Sequence, residues 1–98
     1  MKAKIWNYNK WLKALNDEKD YKEYYSKLLK KVGFNVLNFM EHNFTPQGYT
    51  AIWLLAESHF AIHTFPEHNL HYIELSSCNN KKHNAFIKEI EYKINLIK

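Results

Sequence analysis

The sequence predicts an α+β fold, a two-layer α/β sandwich in which two helices cover one face of a mainly antiparallel sheet. Apolar residues recur at steps of three and four in the first third of the chain and again near its end, which is typical of amphipathic helices. Between these stretches lie four apolar segments of strand length, separated by short turns that favour antiparallel pairing. Two such helices and a sheet bury their apolar faces against each other.

The N-terminal segment has the weakest pattern. Residues 2–8 (KAKIWNY) are a candidate for a short edge strand. Asn9 can then cap a short helical turn that carries Trp11, Leu12 and Leu15. We therefore expect helical structure to begin soon after this strand.

The first long helix begins near Asp17 and ends before Gly33. Acidic residues at its start and lysines at its end suit the helix dipole, and a glycine often follows the last turn. Its apolar stripe consists of Tyr21, Tyr24, Tyr25, Leu28, Leu29 and Val32. We interpret this segment as a helix that covers the sheet.

The middle of the chain changes to the period of strands. Residues 34–44 form the first of four predicted strands, and residues 45–48 (TPQG) form a turn, because proline fixes one backbone dihedral and glycine frees another. Residues 49–57 are apolar on both faces, which predicts an interior strand. Residues 58–65 alternate in polarity until a proline ends them, and residues 69–78 form the last strand.

A second helix follows the strands, capped by Asn79 or Asn80. Its apolar stripe consists of Phe86, Ile87, Ile90, Ile94 and Ile97. Because no repeat or linker interrupts the 98 residues, we expect residues 1–98 to form a single domain.

The composition bears on the class of partner. The net charge of +4 comes from 14 lysines and no arginine, and arginine is the usual side chain for bases and phosphates, so a nucleic-acid partner is disfavoured. No segment approaches the roughly 18 apolar residues that span a bilayer, so no membrane partner is expected. One cysteine cannot form an internal disulfide, which suits a reducing cytoplasm.

Candidate chemistry lies between residues 44 and 78. The triplet Glu57, Ser58 and His59 directly follows an apolar run, where packing alone gives no reason for three polar residues. A serine near histidines suggests a hydrolase, but the motif G-x-S-x-G is absent. Taken alone, Cys78 is interpreted as a buried small hydrophobic residue.

Histidines in this segment also raise the possibility of zinc. The candidate ligands are His59, His63, Glu67, His68 and His71. Ligand pairs four residues apart meet on helices, whereas this segment has a strand pattern, so we predict no metal site.

Several short motifs in fixed order are more specific than any single residue. They are F-x-P-Q-G at residues 44–48, A-E-S-H at residues 56–59, I-H-T-aromatic-P-E at residues 62–67, and a cysteine that ends the next strand. In these motifs the sequence resembles the S-adenosylmethionine decarboxylase proenzymes of the small bacterial and archaeal type. The resemblance covers about residues 29–79.

The resemblance implies a chain that cuts itself between Glu57 and Ser58, into residues 1–57 and 58–98. Ser58 then becomes a pyruvoyl group, a covalently held pyruvate whose ketone forms a Schiff base with the substrate amine. By the same resemblance His63 is the base of this processing, and Thr50 supports it with a hydroxyl. Cys78 is the acid that returns a proton to the substrate carbon.

The resemblance also implies a substrate and a partner. Phe44 stacks on the adenine of S-adenosylmethionine, Glu67 accepts hydrogen bonds from the ribose, and Phe65 stands where the family usually has tryptophan. The expected assembly is a homodimer of cleaved protomers that feeds spermidine biosynthesis. Two alternatives stay open: decarboxylation of ornithine or arginine by the same machinery, and a non-catalytic homologue that regulates an active partner.

Overall fold

The computed structural model describes residues 4–97, with the side chains of residues 4–94. Within this range lie five strands and two helices. In chain order they are β1 (Trp6–Lys13), α1 (Glu18–Lys31), β2 (Val36–Asn43), β3 (Tyr49–Leu55), β4 (Ser58–Phe65), β5 (Leu70–Ser77) and α2 (Asn80–Ile97). A 3-10 turn, Pro66–His68, joins β4 to β5.

The five strands form one antiparallel sheet in the order β1-β5-β4-β3-β2. The four strands predicted from the middle of the chain are all present, and β3 is an interior strand, as its apolar run predicts. The α+β sandwich is therefore confirmed. The central strand is β4, which begins with Ser58 and hydrogen-bonds to β3 on one side and β5 on the other.

The N-terminal prediction is wrong in one respect. No helical turn follows Asn9, because β1 pairs with β5 continuously from Trp6 opposite Ser77 to Lys13 opposite Leu70. Along all eight residues of β1, half-buried side chains alternate with exposed ones. Sheet pairing with a period of two residues therefore overrides the preference of a single asparagine to cap a helix. Residues 2 and 3 of the predicted edge strand lie outside the described residues.

Both helices begin where the sequence predicts, and α1 also ends before Gly33 as predicted. The side chain of Asp17 accepts an N–H of the first turn of α1 at 3.2 Å, and Gly33 follows the end of α1 with a φ of +99°, where a Cβ would be strained. Asn79, rather than Asn80, caps α2 by accepting an N–H of its first turn at 3.0 Å. The side chain of Ile97, the last member of the predicted stripe, lies outside the described side chains.

Both helices cover the same face of the sheet. Tyr25 of α1 and Phe86 of α2 both contact Phe60 of β4, with ring centroids 5.0 and 5.2 Å apart. The indole N–H of Trp53 donates to the hydroxyl of Ser26 at 3.0 Å and joins β3 to α1. In the part of the chain that the structure describes, neither helix is long and apolar enough to cross a membrane.

The opposite face of the sheet, called the open face below, carries neither of the two helices. Its side chains include Trp11, Met40, Ile52 and Leu54, which are 53%, 70%, 42% and 49% exposed. Met40 and Ile52 are register partners on β2 and β3, Leu54 lies two residues beyond Ile52, and Trp11 lies on β1 at the other edge of the sheet. So many exposed apolar side chains on one face are unusual for a surface that meets only water.

A histidine is buried between the sheet and α1. The ring of His71 is 1% exposed, its Nδ1 lies 3.0 Å from the carbonyl oxygen of Lys13 and its Nε2 lies 2.6 Å from the hydroxyl of Tyr25. Nδ1 must donate to the carbonyl, so Nε2 accepts from the Tyr25 hydroxyl and the ring is neutral. Burial lowers the pKa of His71 from 6.5 to about 4.

This buried ring predicts acid sensitivity. A histidine with a folded-state pKa below its unfolded value binds protons more tightly when the chain unfolds, so its contribution to stability is complete above pH 6.5 and is lost as pH falls towards 4. We expect the free energy of unfolding to fall by up to about 3 kcal/mol over that range, at 1.36 kcal/mol per pKa unit. Urea unfolding of the parent and of His71→Gln at several pH values measures it.

The matched control is His59→Gln, which replaces an exposed histidine of the open face. The pH-dependent loss should be reduced in His71→Gln and unchanged in His59→Gln. Equal slopes in the parent and in His71→Gln would contradict the assignment.

Candidate active site

The hairpin between β3 and β4 holds an unusual backbone conformation. Two residues, Ala56 and Glu57, connect Leu55 to its register partner Ser58. Glu57 has a φ of +58°, in the left-handed region that non-glycine residues seldom adopt. The N–H of Ala56 donates to the carbonyl oxygen of Asn35 at 3.0 Å and anchors the turn. Strain of about 1–3 kcal/mol is typical of such a residue and is common at functional sites.

Cys78 reaches this turn from the end of β5. Its thiol donates to the carbonyl oxygen of Glu57 at 3.1 Å and lies 3.6 Å from the Glu57 carboxylate. The residue is exposed, so its interpretation as a buried small hydrophobic side chain is wrong. A donor on this oxygen withdraws electrons from the carbonyl carbon, which makes the peptide bond between Glu57 and Ser58 easier to attack.

Ser58 completes this group of residues, which we call the hairpin cluster (Glu57, Ser58 and Cys78). The residue is 9% exposed, and its hydroxyl oxygen is buried with no hydrogen-bond partner among the described residues. A buried hydroxyl without a partner costs about 1–3 kcal/mol and calls for a functional explanation. This oxygen belongs to the residue that follows the polarised carbonyl, so the cluster holds a nucleophile and an electrophile side by side.

The remaining predicted residues lie at the other end of the sheet, and we call them the distal cluster (Phe44, Thr50, His63, Phe65 and Glu67). Thr50 and His63 are register partners on the open face, and the hydroxyl of Thr50 lies 3.0 Å from Nδ1 of His63. This contact fixes the orientation of the His63 ring.

Two residues that the sequence analysis left without a role support the distal cluster. The side-chain amide of Gln47 donates to the Glu67 carboxylate at 3.1 Å and joins the β2–β3 turn to the 3-10 turn. The ring of Trp11 packs 5.3 Å from that of Phe65, centroid to centroid. Gln47 belongs to the F-x-P-Q-G motif, so the sequence offered a reason to include it in the site. Trp11 was missed because its segment was predicted as helical. Phe44 is 51% exposed, so its ring is accessible.

The two clusters do not meet within one chain. His63 follows Ser58 by five positions on the same strand (63 − 58), which corresponds to about 16 Å at roughly 3.3 Å per residue. An odd separation also places the two side chains on opposite faces, with Ser58 on the helix-covered face and His63 on the open face. The candidate zinc ligands are likewise divided, because His71 is in the core. Among the described residues, no group of three possible ligands could hold a metal ion.

Comparison with known proteins gives a consistent result. Residues 5–96 match the family model described as S-adenosylmethionine decarboxylase. An S-adenosylmethionine decarboxylase proenzyme of Prochlorococcus marinus (strain MIT 9313) is 39% identical over 67 residues, which are 68% of this chain and 54% of the relative. One of Persephonella marina (strain DSM 14350 / EX-H1) is 35% identical over 79 residues, 81% of this chain and 58% of the relative.

A solved structure has the same fold. The crystal structure of the adenosylmethionine decarboxylase from Aquifex aeolicus VF5 matches with a TM-score of 0.75 at 24% identity, over 93% of this chain and 79% of that one. The chain spans about half the length of the curated relatives it matches.

Proposed function

Because this chain belongs to the S-adenosylmethionine decarboxylase family, we propose that it is a self-processing, pyruvoyl-dependent enzyme that decarboxylates S-adenosylmethionine. The observation that carries the proposal is the hairpin cluster. In it the Cys78 thiol donates to the carbonyl oxygen of Glu57 at 3.1 Å, and the adjoining Ser58 hydroxyl is buried without a partner.

Processing begins at the bond between Glu57 and Ser58. The Ser58 oxygen attacks the Glu57 carbonyl carbon, the carbon–nitrogen bond breaks, and the freed amine takes up a proton, so the amide becomes an ester. The carbonyl oxygen gains negative charge as the new bond forms, and the Cys78 thiol stabilises it there. The left-handed conformation of Glu57 favours reaction, because cleavage relieves the strain.

Elimination follows and needs a base at the α-carbon of Ser58. His63 is that base in our proposal, and Thr50 orients its ring. Loss of the α-proton breaks the bond between Cβ and Oγ of Ser58. The oxygen leaves with residues 1–57 as part of the new C-terminal carboxylate of Glu57, and dehydroalanine remains at position 58. Hydrolysis of the resulting dehydroalanine releases ammonia and leaves pyruvoyl at position 58.

The distance within one chain favours a site that is shared with a second copy. His63 lies about 16 Å from Ser58 along β4, so our proposal assigns the base to His63 of a partner subunit. The exposed apolar residues of the open face supply a surface for such packing. A two-fold axis that brings one hairpin cluster against the partner's distal cluster would form two sites per dimer.

Position 58 fits the pyruvoyl group because a buried oxygen without a partner and an exposed thiol adjoin the same peptide bond. The group supplies a ketone that binds the substrate amine and takes up the electron pair left when carbon dioxide departs. Cys78 then donates a proton to the substrate carbon as the general acid.

The distal cluster fits a nucleoside. The exposed ring of Phe44 is available to stack on adenine, and the Glu67 carboxylate, held by Gln47, is available to the ribose hydroxyls. Neither residue would have a role with ornithine or arginine, which lack both groups. The hairpin cluster in turn favours an enzyme over a regulatory homologue, because a regulator needs neither the Ser58 hydroxyl nor the Cys78 thiol.

Mixed dimers test whether the site is shared. Chains with Ser58→Ala lack the nucleophile, and chains with His63→Ala lack the base, so each alone should fail to form the two mature fragments. Co-expression should restore cleavage of the His63→Ala chain only, because the partner's His63 acts on its Ser58. The two chains carry different tags, so that gel electrophoresis and mass spectrometry can measure the cleavage of each chain separately.

The control replaces the Ser58→Ala chain with one that carries both Ser58→Ala and His63→Ala. This partner should restore nothing. Restoration by the control, or no restoration by Ser58→Ala in verified mixed dimers, would contradict a site shared between subunits.

Substrate choice is tested at Glu67. Charge-assisted hydrogen bonds contribute about 1.5–3 kcal/mol each, so Glu67→Gln should raise KM for S-adenosylmethionine by roughly 10-fold or more while self-cleavage proceeds normally. The assay is release of labelled carbon dioxide from S-adenosylmethionine, ornithine and arginine. Glu23→Gln, at an exposed position of α1, is the matched control and should behave like the parent. Release from ornithine or arginine but not from S-adenosylmethionine would overturn the substrate assignment.

A further inference from the structure

Two buried side-chain atoms have no hydrogen-bond partner among the described residues, and they are Ser58 Oγ and His83 Nδ1. His83 belongs to the first turns of α2 and is 3% exposed. Buried polar groups are usually satisfied, so each exception needs a reason. The proposed processing explains the first atom and leaves the second unexplained.

The packing of α2 on the sheet brings the two residues to the same level. Phe86 of α2 contacts Phe60 of β4, with ring centroids 5.2 Å apart. Ser58 precedes Phe60 by two residues on the same face of β4, a displacement of about 6.6 Å along the strand. His83 precedes Phe86 by three residues, a displacement of about 4.5 Å along the axis of α2. β4 is antiparallel to β5, and α2 follows β5 and returns along it. The two elements β4 and α2 therefore run in the same direction.

A second set of contacts connects the start of β4, the end of β5 and the start of α2. Ser58 pairs in register with Ser77, the last residue of β5. The Ser77 hydroxyl binds the backbone of Asn79, and the carbonyl oxygen of Asn79 accepts the N–H of His83 at 3.0 Å. This chain of contacts places His83 at the end of the helix-covered face where Ser58 and Ser77 lie, although His83 Nδ1 and Ser58 Oγ are not hydrogen-bonded to each other.

We propose that His83 accepts the proton of the Ser58 hydroxyl when that oxygen attacks Glu57. The proton moves from Oγ to the imidazole as the oxygen–carbon bond forms, and it passes to the Ser58 nitrogen as the carbon–nitrogen bond breaks, so His83 ends the step unchanged. Cys78 acts on the carbonyl oxygen and His83 on the attacking oxygen. The inference rests on the proposed self-cleavage and assigns a residue to its first step, whereas His63 serves the second.

The surroundings of His83 suit this role. Burial lowers its pKa from 6.5, so the ring is neutral at pH 7 and has a lone pair for the proton. The β4 and β5 side chains at its level, Ser58 and Ser77, are uncharged. The charged groups near this end of the fold are Lys81 and Lys82 on α2, Lys30 and Lys31 at the end of α1, and Glu57 in the hairpin.

The first step can be measured alone in a His63→Ala background, where the ester should accumulate. Chains made by cell-free translation are sampled over time and treated with hydroxylamine, which cuts the ester and reports its amount. Adding His83→Gln should slow ester formation at least about 100-fold, the lower range for general-base catalysis, and should abolish the dependence of the rate on pH. His68→Gln, at an exposed position, should leave both unchanged.

A second measurement leaves His83 in place. The pH at which ester formation is half-maximal should match the titration midpoint of the His83 ring, followed by NMR in the uncleaved Ser58→Ala chain. Mismatched midpoints, or unaltered ester formation in a folded His83→Gln chain, would overturn the role of His83 alone. No ester in the His63→Ala chain at any pH would overturn the self-cleavage and this inference together.

Discussion

The hydrogen bond from the Cys78 thiol to the carbonyl oxygen of Glu57 is the interaction on which the proposed chemistry depends. It exists because β4 lies between β3 and β5 in a fixed register, with Ser58 opposite both Leu55 and Ser77. A shift of one residue in either pairing would turn Ser58 to the open face. The sheet therefore places the nucleophile, the carbonyl and the donor together without help from the substrate.

The same alternation separates the rest of the site. A strand cannot present neighbouring residues to one face, so a chain that buries Ser58 must expose His63, and five positions of extended backbone lie between them. Assembly is the physical solution that we propose, since a second copy can bring its distal cluster to the hairpin of the first. In this proposal, dimerisation explains both the exposed apolar side chains of the open face and the absence of a complete site in one chain.

The fold was largely predictable because its signals are local. The cap at Asp17, the glycine after α1 and the apolar stripes of both helices depend on residues close in sequence. The strand at residues 6–13 was not predictable in the same way, because its partner β5 lies about sixty residues later and only pairing reveals the period of two. Likewise the motifs indicated Ser58 and Cys78. His83 lies one turn before Phe86 on the predicted apolar stripe, so its burial was predictable, but its proximity to Ser58 depends on how α2 packs on the sheet.

The most direct test of the central claim is the intact mass of the purified parent chain. Self-cleavage at the hairpin predicts two fragments, residues 1–57 and 58–98, with the second lighter by one ammonia than a fragment that begins with serine. The Ser58→Ala chain should keep the mass of all 98 residues. An intact parent chain, or a second fragment that retains an amino-terminal serine, would contradict the account.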